Sequence, residues 1–185
     1  FILDHPEIVW YRVLHLGQIH YEGLRYAPLL TGILIACIQY LPEMRQQRMR
    51  LSLHLPVTIH GVVYAHVIIG LAAFCLAVLP DALVLVWMTL RYFPAQALPT
   101  TLATALPWFC AGMAAYLGGT LAMLEPNLRM KAMNILVAAG VAGLYLLPAD
   151  PGGYGRILPL LLLPLLAMGI SVLLPAFRFR YRRTN

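Results

Sequence analysis

Charge is what this chain has least of: seven acids and thirteen basic residues among 185 positions, 11% of the whole. Soluble domains are about one quarter charged, so no sizeable water-facing domain is expected. Lysine is scarcer still. The one lysine, Lys131, lies in NLRMKAMN, whereas a phosphate-cradling loop needs Gly-rich backbone followed by Gly-Lys-Ser/Thr. No nucleotide site is therefore expected, and the chain reads as no enzyme, with no catalytic residue of its own. Cysteine is limited to Cys37, Cys75 and Cys110, each inside an apolar run and without CxxC spacing. Such thiols act as small hydrophobes, which argues against a disulfide framework and a metal cage. Repeats, low-complexity segments and domain linkers are missing as well. The opening FILDHPEIVW has neither the basic flank nor the small-residue cleavage site of a signal peptide. With Phe1 in place of an initiator Met, residues upstream are expected to be missing.

What fills the chain is apolar: 61% of residues, with a mean hydropathy of +0.78. That predicts an all-α polytopic membrane protein, one transmembrane domain over residues 1–185. At about 20 apolar residues per crossing, roughly five or six spans fit. Apolar runs place helices near 24–42, 60–79, 100–124, 131–148 and 156–176. Residues 82–98, DALVLVWMTLRYFPAQA, carry Arg91 and Pro94 and read as short for a span.

Basic residues set the orientation, because cytoplasmic loops hold excess Lys and Arg. Arg45, Arg48 and Arg50 form one cluster, Arg129 and Lys131 a second, and Arg178, Arg180, Arg182 and Arg183 a third. If all three are cytoplasmic, the crossings between them must be even in number. Residues 82–98 are then an extracytoplasmic re-entrant or interfacial segment, which also keeps Arg91 out of the bilayer centre. The same parity puts residues 1–23, rich in Trp, Tyr and charge, at the outer interface, and residues 177–185 form a cytoplasmic basic tail. Five spans are visible; one missing N-terminal span would make six with both ends inside.

Between the first two runs lies YLPEMRQQRMRLSLHLPVTIHG. Pro42 is expected to end one helix and Pro56 to end a short amphipathic one. On that short helix Met44, Leu51 and Leu55 group on one side, with Arg45 and Arg48 on another. An ordinary positive-inside anchor would share these features.

The order of an apolar span, an acid, basic residues and LSLHLPV resembles the cytoplasmic elbow of permease subunits of type-2 ABC exporters. The matching residues are Glu43, Arg45, Arg48, Arg50, Leu53, Leu55, Pro56 and Val57. The chain departs from that pattern in lacking Gly-Thr before the Leu-rich turn, and Thr58-Ile59-His60 stand where Ser-Arg is usual. The resemblance implies a coupling helix over residues 43–57 whose docking surface, including His54, receives a separate ATP-binding-cassette ATPase. It also implies a dimer with a second permease copy or paralogue, a bacterial inner membrane, and no nucleic acid. ATP and Mg would sit on the partner subunit, leaving this chain without cofactors.

Small residues recur every four positions in TALPWFCAGMAAYLGGTLAML: Ala111, Ala115 and Gly119, and beside them Ala114, Gly118 and Ala122. That spacing lets helices approach closely in lipid, within one subunit or between two. Pro159 and Pro164 predict a kinked last helix.

Six histidines offer another reading, a haem-binding electron-transfer subunit. However, His54, His60 and His66 are six apart and point in three directions at about 100° per residue, and only His66 is well inside a span. A membrane scaffold or assembly factor would share the spans and the basic elbow.

Overall fold

The computed structural model describes residues 11–13, 19, 21–45, 58–148, 150–154 and 157–181. Among them there is no strand. They form α1 (Ala27–Arg45), α2 (Ile59–Tyr92), α3 (Leu98–Leu124), α4 (Leu128–Tyr145), α5 (Leu158–Ser171) and α6 (Leu173–Tyr181), with 3-10 turns at Glu22–Tyr26 and Ala95–Ala97.

α3 is the axis, packed by α1, α2, α4 and α5. It can be surrounded because small residues occur on several of its sides. Gly32 of α1 meets the Gly112 backbone, and a methyl on Gly119 would come within 2.6 Å of the Ala36 methyl, so α1 runs parallel to α3. Phe74 of α2 faces Gly112 and Gly70 faces Tyr116, so α2 is antiparallel. On another side Gly118 takes Ala138 of α4. Close backbone approach of this kind holds helices together in lipid, where apolar contact alone gives no preference for protein over solvent. The outward faces stay apolar: Ile38, Ile69 and Leu76 are among the most exposed large side chains, as are Leu136 and Leu166.

These pairings sort the chain ends. The C-termini of α1, α3 and α6 and the N-termini of α2 and α4 share one end, hereafter the basic end. Arg45, Arg129, Lys131, Arg178 and Arg180 all fall on backbone there. At the opposite end Arg25 pairs with Glu22 at 3.6 Å and donates to the carbonyl of Leu146, the residue that caps α4.

Four stretches are long and apolar enough to cross a membrane: Glu22–Met44, Ile59–Tyr92, Ala95–Leu124 and Pro159–Arg178. That supports a multi-pass membrane protein and revises the five runs expected. The fifth, 131–148, is α4, which begins at Leu128 and takes Arg129 and Lys131 into its first turns. The uncharged remainder of α4, from residue 132 to Tyr145, falls short of the 20 or so apolar residues of a full-length span, yet α4 packs antiparallel along α3 and carries the chain from the basic end to the opposite one.

Residues 82–98 are not a segment apart. Residues 82–92 continue α2, which runs unbroken through Pro80 for 34 residues, about 51 Å at 1.5 Å per residue. A proline forfeits the hydrogen bond to the carbonyl four residues back, here that of Leu76, and the helix absorbs that single loss. The true stop is Pro94: a residue before proline is driven out of helical geometry, and Phe93 has φ −126° and ψ 159°. Pro42 likewise lies inside α1 instead of ending it. Pro159 sits in the first turn of α5, where its missing N–H costs nothing, and Pro164 lies inside that helix. The interruption in the last helix comes later, at Val172. Pro175 accounts for it, since it cannot donate to Ser171 four residues earlier.

The elbow residues Arg48, Arg50, Leu53, His54, Leu55, Pro56 and Val57 lie outside the described residues, as do most of residues 1–23 and the tail beyond Tyr181.

Candidate functional site

α4 and α5 both lean on α3 yet make little contact with each other. Between them a groove of about 330 Å³ is left, floored by Leu121 and Glu125 of α3. Beyond Val141 and Pro164 the two walls are joined where the Tyr145 hydroxyl donates to the Leu161 carbonyl. At the basic end its lining includes Glu125 and Arg178. Met130, Asn134, Val137 and Val141 form one wall; Pro164, Ala167, Met168 and Ser171 form the other, continued by Leu174, Pro175 and Arg178.

Its polar end is built from a turn. Glu125 terminates α3 in extended geometry and is 1% exposed. Its Oε2 accepts from Arg178 Nη1 at 2.8 Å, and its Oε1 accepts from the Asn127 backbone N–H at 3.3 Å. Asn127 in turn caps α4, its side chain accepting from the Arg129 N–H at 3.0 Å. A carboxyl group this buried needs a polar partner, and Arg178 supplies it from 53 residues away. Arg178 itself is 44% exposed, so its guanidinium joins the buried pair to the surface. Deeper in, Asn134 Nδ2 donates to the Leu121 carbonyl at 3.2 Å and Ser171 Oγ to the Ala167 carbonyl at 2.7 Å. The result is amphipathic: a cation at the mouth, satisfied amides and hydroxyls within, and branched or thioether side chains along the walls.

A second polar knot lies among α1, α2 and α3. Tyr116 Oη donates to Gln39 Oε1 at 2.9 Å, and Gln39 Nε2 donates to the His66 carbonyl at 2.7 Å. Gly70 makes room for it, since a side chain there would strike the Tyr116 hydroxyl and Gln39. The His66 ring is engaged within its own helix, Nδ1 lying 2.9 Å from the Val62 carbonyl. Tyr116, Gln39 and the His66 carbonyl pair with one another, while the buried Tyr40 hydroxyl beside them finds no hydrogen-bond partner among the described residues, and the knot fixes the register of three helices.

Of the docking residues expected from sequence, Glu43 and Arg45 sit in the last turn of α1 and the others fall outside the described residues. Ala111, Ala115 and Gly118 are buried, and Gly119 nearly so, all within this one subunit. Gly118 serves α4 and Gly119 serves α1. Cys37, Cys75 and Cys110 are free thiols on three different helices. Among the described residues no three His, Cys, Asp or Glu side chains come together in a way that could hold a metal.

Sequence reasoning missed the groove. Glu125 reads as one acid in a turn and Arg178 as one charge of a basic tail. One signal was available: an acid directly after a long apolar run and directly before Pro126, with no basic residue within three positions, needs a partner from elsewhere in the chain. Comparison with protein-family models, with curated proteins and with solved structures finds no match.

Proposed function

We propose that the chain is the permease subunit of an ABC-type exporter, a membrane protein that turns ATP hydrolysis on a separate subunit into movement of substrate. One observation carries this reading: α1 ends and α2 begins at the basic end, so the sequence that joins them, with its acid, arginines and Leu-Pro-Val, connects two helix ends that lie where Arg129, Lys131 and Arg178 also gather. By the positive-inside rule that end faces the cytoplasm, where a motor subunit would dock. Both helices flanking the elbow pack on α3, and so a displacement of the elbow reaches the axis of the bundle through rigid elements.

The test is association with an ATP-binding-cassette subunit. The tagged chain should co-purify with one, and Arg45→Glu with Arg48→Glu should abolish that association while membrane insertion is kept. An intact complex containing no such ATPase, or association that survives the charge reversal, removes the reading in favour of a scaffold.

A further inference from the structure

We infer that the groove between α4 and α5 is a binding site for an anionic phospholipid, with the phosphate on Arg178 and an acyl chain lying along Val137, Val141 and Ala167. The inference rests on the chain spanning a bilayer but not on the exporter reading.

Shape and charge argue together. The charged part of the lining, Glu125 and Arg178, lies at the basic end, where lipid headgroups lie if that end marks the membrane surface, and the walls run inward from there as mostly apolar side chains. At roughly 30 Å³ per water-sized group, 330 Å³ holds about ten chain carbons. Helix faces beside it are apolar and exposed, Leu136 at 67% and Leu166 at 61%, so an acyl chain enters sideways from the bilayer without crossing a polar barrier.

The sign of the headgroup follows from the ion pair. Glu125 is fully buried and both of its oxygens accept hydrogen bonds, one from Arg178 and one from Asn127. Arg178 carries five N–H donors, of which the Glu125 pair uses the Nη1 side, and it remains 44% exposed. What the groove offers a ligand at that end is therefore donors and positive charge on Arg178, while Arg129 and Lys131 belong to the first turns of α4 beside it without lining it. Basic pockets between membrane helices recognise phosphate headgroups on these terms, by charge-assisted bonds from a planar guanidinium. A zwitterionic lipid gains less, because its cationic group would share the same basic mouth.

The experiment uses the purified full chain in mixed micelles containing phosphatidylglycerol or phosphatidylcholine at equal mole fraction, with bound lipid read by native mass spectrometry. Phosphatidylglycerol should be retained at least about tenfold more than phosphatidylcholine. Ala167→Trp, which fills the groove without touching the ion pair, should lower phosphatidylglycerol retention by a similar factor at unchanged helicity and thermal midpoint. The double variant Glu125→Gln with Arg178→Gln, which leaves no buried charge unpaired, should retain the two lipids equally. Equal retention by the unmodified chain, or full retention by a folded Ala167→Trp variant, overturns the inference. Efficient disulfide formation between two Ala167→Cys copies in the membrane also overturns it, since a second copy would then be the occupant.

Discussion

Gly118 and Gly140 both lie on the helix pair α3–α4 and differ in what a methyl group would meet. At Gly118 it would fall on the Ala138 methyl, whereas at Gly140 nothing lies within 4 Å. Gly118→Ala should therefore destabilise by about 1–3 kcal/mol through overpacking. Gly140→Ala should stabilise by up to about 1 kcal/mol through helix propensity. Thermal midpoints in detergent measure both, and equal shifts would refute the close approach of α3 and α4. The ion pair obeys a similar asymmetry. Arg178→Ala strands the buried Glu125 carboxylate and should cost about 3 kcal/mol, the low end for a broken buried pair because the guanidinium is half in solvent. The double change to Gln at 125 and 178 removes both charges and should cost less than Arg178→Ala alone. If the single and double variants unfold at the same temperature, the pair contributes nothing that its parts do not.

Helices are legible in the sequence where hydropathy alone decides them, and obscured where proline and charge imitate punctuation. Pro80-Asp81 marks an apparent boundary, yet α2 continues to Tyr92 because the following ALVLVWMTL is uninterrupted apolar sequence and the proline sacrifices one hydrogen bond. Pro94 does break the chain, since it acts on Phe93 through a steric clash that no packing relieves. Arg129 and Lys131 look like the edge of the fourth helix, but Asn127 caps it one residue before Leu128 and draws both inside. The stripes at Ala111–Gly119 and Ala114–Ala122 can be read from spacing, while their partners cannot. That Gly32 would cross at Gly112, or Gly70 make room for Tyr116, depends on contacts more than 40 residues apart in sequence, which periodicity does not encode. The same distance hides Glu125 from Arg178. Only the elbow's order of residue types is recognisable as a motif, and that order says nothing of its geometry.

For the molecule as a whole, alternation of helix direction gathers the backbone of Arg45, Arg129, Lys131 and Arg178 on one end and leaves Glu22, Arg25, Arg91 and Asp150 toward the other. With Cys37, Cys75 and Cys110 replaced by Ala, single cysteines at His60 and Asn127 should react with an impermeant maleimide from the same side of a sealed vesicle. Cysteines at Ala95 and Asp150 should react only from the opposite side; all four positions are exposed. A split result within either pair would overturn the arrangement. The bundle also ties one wall of the groove down at both ends. α4 is fastened at its far end, where Arg25 holds the Leu146 carbonyl and Tyr145 holds Leu161, and near the basic end Asn134 is its side-chain bond to α3. Mechanically this makes α4 a beam of about 27 Å held at both ends, because the turn Glu125 to Asn127 also ties its start to α3. A load applied at Arg129 and Lys131 therefore passes into the Glu125 turn and the end of α3 at the floor of the groove.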